Sequence, residues 1–417
     1  MGGVSWGSTL LQHFDLSYDT KYSLVDLGET EQLVLMFTSS GRGTFREQVL
    51  ELLSVLKATL EKQTQPMTVT FQTVFLKDLC DQAECEQILS AHYGPRLPAT
   101  GFVLERPCSG GALAIEAWAI AGGSVQVEQC GPHALAVSCD DIRWVYCSGV
   151  SPAESAQKAY EQTLYALERL SVNLVQAGSS FEQVIRTWFY LGGITNPEAD
   201  TQRYEELNRA RTDFYRGINF YNSLLRQDNS HIVYPSSTGI GMAGTGLVAS
   251  CIAFETSRED VFLIPLENPL QTPAYAYEPG GSIQSPKFSR AVALVFGNYI
   301  ITWISGTASI VDSESCHLND VGKQTEQTIN NIEKLISKEN FAIHGVKDAG
   351  ASIHDLAAVR IYIKHPEDFD KCKTICERRL ARVPSIYITA DVCRPELLVE
   401  IEGVAFSRCA AVDVPST

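Results

Sequence analysis

The stretch DVCRPELLVEIEG (391–403) sets two glutamates, Glu400 and Glu402, into a run with the character of a buried strand. Cys393 stands seven residues before the first of them. Alternation along a strand puts Glu400 and Glu402 on one face and Val399 and Ile401 on the other. The two carboxyls then lie roughly 6–7 Å apart, twice the rise per residue. A carboxyl that is desolvated and close to a like charge favours its protonated form. A general acid working at neutral pH needs that property. The other reading is that the glutamates pair with arginines across an interface.

A second constellation lies in RTWFYL (186–191), where Arg186, Trp188 and Tyr190 share a strand face. The helix that follows brings Tyr204 and, seven residues on, Arg211 to one side. Arginine and tyrosine meeting at an interface can hold a carboxylate. Structural ion pairs and aromatic packing are the alternative.

These residues sit in a pattern that occurs three times: strand, long helix, strand, second helix, strand. The first copy runs from QLVLMFTSSG through FREQVLELLSVLKATLEKQ and VTFQTVFLKD to GALAIEAWAIA. The second runs from IRWVYCSGVSP through VIRTWFYLGGI to GLVASCIAFE, and the third from YIITWISGTASI through AAVRIYIKH to PELLVEIEGVAF. Apolar residues at spacings of three and four mark the helices, and β-branched and aromatic residues with period two mark the strands. The fold class is therefore α/β (α+β), with three units in one chain, each a sheet covered by helices on one face. The other faces must cover one another, which implies a single-chain pseudo-trimer. The expected units are 1–130, 131–275 and 276–417. Breaks are placed near 122–140 and at the Pro- and Gly-rich 267–285.

Superposing the last strands (EAWAI, SCIAF, EGVAF) matches Glu402 with Glu116 and Ser250, and Glu400 with Ala114 and Val248. One carboxylate thus has a counterpart in another unit and the other has none. Val399 and Ile401 suit the helix-covered face, so the glutamates point between units.

Totals narrow the function. A net charge of −16 over 417 residues argues against nucleic-acid or anionic-membrane partners. No apolar run reaches the length of a membrane span. The first residues show neither a secretory leader nor a myristoylation pattern. The 12 cysteines have no CxxC spacing, so reduced thiols in a cytoplasmic protein are expected, most of them buried, with no zinc site. GIGMAG (239–244) satisfies G-x-G-x-x-G but precedes a strand, which does not supply a phosphate cradle. His231 falls in a loop and is either functional or polar surface.

The VEIEGVA strand and the ISG turn at Ile304, Ser305 and Gly306 resemble the RidA/YjgF family, small trimeric proteins with ligand sites between subunits. RTWFYLGGI, SSTGIG, ENP, PKFSRA, ISGTASI, DVGKQTE and CRPELLVEIEG fall in the order seen in chorismatases, over about residues 140–410. The first 130 residues fit as a divergent RidA-like unit. The resemblance implies cleavage of chorismate with release of pyruvate, and Glu400 as the proton donor. In the 3-hydroxybenzoate-forming branch a Gly stands in the ISGTA turn and a Cys before the R-x-x-LLVE run. Gly306 and Cys393 place this sequence with that branch. The branch that hydrolyses chorismate to a dihydroxycyclohexadiene carboxylate has Ala at both places. Arg211, Tyr204 and Arg290 are the candidates for binding the carboxylates, with Gly306, Arg186, Tyr190 and Trp188 as further substrate contacts. No metal or organic cofactor is implied, and the chain is expected to be a monomer or a weak oligomer. The alternatives are hydrolysis, a 4-hydroxybenzoate mixture, or a RidA-like enamine/imine deaminase. The last lacks its strand arginine here, since the region reads VPSIYITAD with Ser385 near the corresponding place.

Overall fold

The computed structural model describes residues 9–17, 20–152, 156–221, 224–225, 233–277 and 284–409. His231 lies outside them. Three six-stranded sheets follow one another along the chain. In spatial order the first consists of Leu11–Ser17, Thr20–Asp26, Thr30–Thr38, Leu113–Gly122, Thr68–Leu76 and Ala99–Leu104. The second has the same order: Gln126–Gln129, Ala134–Cys139, Ile142–Val150, Leu247–Thr256, Val184–Gly192 and Ser236–Met242. The third repeats it with Val261–Leu266, Ala291–Phe296, Tyr299–Ala308, Val399–Arg408, Leu356–Ile363 and Ser385–Thr389. In each, three strands form an antiparallel meander. The closing strand joins its inner edge, and the outermost strand runs parallel to its neighbour.

The sequence breaks need correction. Gln126–Gln129 and Ala134–Cys139 lie where a linker is expected, yet both pair into the second sheet. Val261–Leu266 pairs with Ala291–Phe296, so the third sheet begins before 276. The Pro- and Gly-rich 267–285 therefore falls between two strands of one sheet, not between two units. Asn268, buried within it, donates to the Asn331 carbonyl at 2.8 Å, which ties the loop to the third unit's long helix.

Two long helices cover one face of each sheet. Phe45–Glu61 starts with a capping box between Thr44 and Glu47 and buries Val49, Leu52, Leu53 and Leu56. Ala159–Gln176 and Val321–Ile336 do the same in the other units. The opposite sheet faces meet in one core that joins Phe71, Phe75 and Trp118 to Trp144, Trp188 and Tyr190 and to Trp303, Tyr362 and Val404. All 12 cysteines are free thiols; six are buried, five half-buried and one exposed, so half of them, not most, are core. No helix among the described residues is long and apolar enough to cross a membrane.

Two irregularities matter for the site. The segment expected as an ISG turn is a bulge within Tyr299–Ala308, where pairing skips from Ile304–Gly403 to Thr307–Ile401. The second unit carries the same bulge, with pairing from Cys147–Cys251 to Val150–Ala249.

Candidate active site

The axis where the sheets meet holds a buried ion cluster. Glu402 accepts five hydrogen bonds. They come from Arg186, from Trp188 Nε1 at 2.8 Å, from Thr238, from Arg360 at 3.1 Å and from Tyr362 at 2.7 Å. Arg360 also pairs with Glu116 and donates to Tyr190 at 2.6 Å and to Thr73 at 3.1 Å. Burial alone would raise the Glu402 carboxyl. Arg186 and Arg360, with Thr238 and Tyr362, instead hold it below the ordinary carboxylate value. Glu402 thus takes the ion-pair alternative, across the interface of the second and third units.

Three sequence candidates belong to this cluster rather than to a ligand pocket. Arg186, Trp188 and Tyr190 share a face as expected, but that face turns to the axis, where Arg186 and Trp188 donate to Glu402 and Arg360 donates to Tyr190, with Arg186 Nη1 left unpartnered. None of the three lines the cavity described next. Alternation gives the face; the lateral packing of the sheets decides which part of it meets solvent space.

A cavity of about 740 Å³ lies between the second and third units. Its walls bring together Tyr204, Arg211, Arg290, Gly306, Cys393 and Glu400. This volume suits a small organic ligand. Tyr204, Asn208 and Arg211 stand four and three residues apart on helix Arg203–Tyr215 and so share its inner face. Arg203 fixes the start of this helix through Glu198 at 2.5 Å and Gln162 at 2.9 Å. The third unit supplies Gly306 from the bulge, Arg290 from the start of Ala291–Phe296, and Glu400 from the closing strand. Ser237 N–H donates to Ser305 Oγ at 2.9 Å and joins the two units at the cavity's edge.

Glu400 is buried among these groups. Burial, and then the charge of Glu402, push its carboxyl up to about 8 against the pull of Arg186 and Arg290. It is therefore protonated at neutral pH. Thr238 connects the two glutamates' surroundings. Its hydroxyl donates to Glu402 and accepts from Arg186 at 2.6 Å and from the Gly306 N–H at 3.0 Å. A methyl group on Gly306 would collide with Glu400 Oε1 and stand 3.0 Å from its Cδ. Burial, and then Glu400, push the Cys393 thiol up to about 12, so it stays protonated.

The guanidiniums of two cavity arginines donate to uncharged groups. Arg211 donates to Ser237 at 3.2 Å and to Asn208 at 2.6 Å; Arg290 donates to the Thr272 carbonyl at 3.0 Å and to Tyr277. Their Nε groups are buried and unpartnered. Among the described residues neither Arg211 nor Arg290 forms a salt bridge. Glu267 accepts the Arg290 backbone N–H at 3.3 Å, but burial raises its carboxyl to about 7 despite Arg290. Phe288 lies between the two guanidiniums, 5.7 Å from Arg211 and 5.4 Å from Arg290. Guanidiniums of this kind can hold the carboxylates of a small ligand. No group of three His, Cys, Asp or Glu side chains among the described residues is arranged to hold a metal.

Asn208, Ser237, Tyr277, Phe288 and Arg394 line the cavity but are not among the sequence candidates. Arg394 was within reach of a reader, since it adjoins Cys393. Ser237 and Phe288 fall in the motifs SSTGIG and PKFSRA, whereas Asn208 and Tyr277 carry no signal without knowledge of which segment folds where.

No family model matches the chain. A 3-hydroxybenzoate synthase from Streptomyces hygroscopicus is 31% identical over 277 residues, covering 63% of this chain and 74% of that protein. A chorismatase from Streptomyces rapamycinicus is 32% identical over 230 residues, covering 54% and 64%. A solved chorismatase structure covers 90% of this chain and 98% of its own, with a TM-score of 0.65 at 20% identity.

Proposed function

The chain belongs to the chorismatase family, and from that premise we propose that it converts chorismate to 3-hydroxybenzoate and pyruvate. One observation carries the reading. A carboxyl protonated at neutral pH faces a cavity with two arginines that lack a carboxylate partner among the described residues. Chorismate is a dianion with an acid-labile enol ether, and Arg211 and Arg290 take its carboxylates. Glu400 gives its proton to the methylene carbon, and the side chain becomes an oxocarbenium ion. The 4-hydroxyl oxygen then bonds to the ring carbon that held the ether. The ether C–O electrons stay with the departing oxygen, which becomes the carbonyl of pyruvate. The hydroxyl proton replaces the one Glu400 spent, which leaves the oxygen bridging two ring carbons as an epoxide. The oxygen's original bond to the 4-carbon then breaks as the oxygen takes a proton, and loss of the hydrogen on the carbon that keeps it, as a proton, restores aromaticity. Atoms balance without water, and a buried site favours that course. A thiol held protonated fits Cys393 as a proton carrier or a spacer in the rearomatisation better than as a thiolate nucleophile.

The same reading treats the three units as a pseudo-trimer with one working cleft, at the join of the second and third. Incubation of the protein with chorismate should release pyruvate and 3-hydroxybenzoate in equal amounts, measured by chromatography. No pyruvate from chorismate, with ammonia released from imino acids, would turn the reading to a deaminase.

Gly306 gives the branch assignment a physical content. A methyl there must displace the Glu400 carboxyl, so the change from Gly to Ala moves the acid as well as filling space. The Gly306→Ala, Cys393→Ala double variant should shift product toward the dihydroxycyclohexadiene carboxylate. A double variant that still yields only 3-hydroxybenzoate removes these two residues as the determinants.

A further inference from the structure

The cleft between the first and second units contains a cavity of about 880 Å³ at the position equivalent to the proposed catalytic one. The equivalence rests on hydrogen bonds. Ser148 N–H donates to the His133 carbonyl at 2.9 Å, as Ser305 N–H does to the Arg290 carbonyl at 3.0 Å. With the shared bulge, this sets His133 in the place of Arg290, Gly149 in that of Gly306, and Val248 in that of Glu400. His133, Gly149 and Val248 all line the second cavity.

The chemistry of the walls is inverted. The acid is replaced by Val248, and no lysine or arginine lines the cavity. Phe102 and Met242 add apolar surface. Beside the Ser90 and Ser151 hydroxyls, two side chains of the wall offer acceptors. His133 Nδ1 donates to the Ser148 carbonyl at 3.1 Å, and in that tautomer Nε2 is an acceptor. Glu86 receives only the Gln82 amide, at 2.7 Å, and forms no ion pair among the described residues. A dianion would meet a carboxylate and no cation here.

We infer that this cavity is a second, non-catalytic binding site for an uncharged aromatic compound bearing an N–H or O–H donor, such as an arylamine or a phenol. The fluorescent arylamine N-phenyl-1-naphthylamine is a suitable probe, because its emission rises in apolar surroundings. It should bind the full chain saturably without inhibiting chorismate turnover. Ser90→Trp, on an exposed wall position of the cavity, should weaken the probe at least ~10-fold and leave turnover unchanged. Val248→Trp fills the cavity from the opposite wall and should do the same. The part of the signal from the probe's sulfonated analogue that Ser90→Trp removes should be at least ~10-fold weaker. Probe binding that survives both substitutions, or that competes with chorismate, overturns the site. A sulfonated analogue that binds there as well as the neutral probe overturns the ligand class.

Discussion

Glu400→Gln should abolish pyruvate release from chorismate, with turnover reduced by at least about 1,000-fold, near the upper range for removal of a general acid. The amide keeps the shape of the protonated carboxyl, so the protein should remain folded. The pH dependence separates this from a loss of packing. Glu400 titrates at about 8 in the folded chain, so wild-type turnover should fall as pH rises through that value. The sign for stability runs the same way. A carboxyl with a raised value contributes stability that is fully present below the ordinary carboxylate range and is lost as pH rises through 8. At pH 9 the variant should therefore be more stable than wild type, by on the order of 5 kcal/mol. At pH 4 the two should be alike. Thermal melts across pH and a chorismate assay measure both effects. Turnover within tenfold of wild type would assign the proton to another group.

Arg360→Met should produce the largest loss of stability. Arg360 is buried and pairs with Glu116 and Glu402 from two different units. Its removal leaves Glu116 with only the Trp118 indole at hand, a buried charge without a counter-ion. Loss of one partner of such a pair costs about 3–5 kcal/mol. Glu402 has a lowered value in the folded chain. Its stabilising contribution is present above the ordinary carboxylate range and is lost as pH falls through the folded value. The gap between variant and wild type should thus be widest at neutral pH and narrow in acid. Urea titrations at pH 7 and pH 4 test this. A constant gap would mean that the methionine side chain simply packs badly.

Much of this arrangement was legible from residue pattern. Period-two strands and period-3.6 helices gave the repeated order, and superposed closing strands separated Glu402 from Glu400. Both distinctions depend on neighbours in sequence. Where Arg186, Trp188 and Tyr190 point, and that Arg360 joins them, depends on how three sheets pack. Arg360 meets Thr73 from 287 residues away, and no periodicity encodes such a meeting. The loop 267–285 misled because Pro and Gly mark a change of direction, not a change of unit. Its residues Thr272, Ala276 and Tyr277 wall the cavity between the second and third units.

The central ion cluster also constrains how these units can assemble. Strand register makes Thr73, Trp188 and Arg360 equivalent, each opposite Glu116, Ser250 and Glu402 in turn. A ring of three identical units would crowd three guanidiniums and three carboxylates, or three hydroxyls, into the space shared here by one guanidinium, two carboxylates, two hydroxyls and an indole. Covalent linkage therefore fixes stoichiometry: one copy of each unit arrives at every axis, and the two clefts are free to diverge without a mismatched ring ever forming.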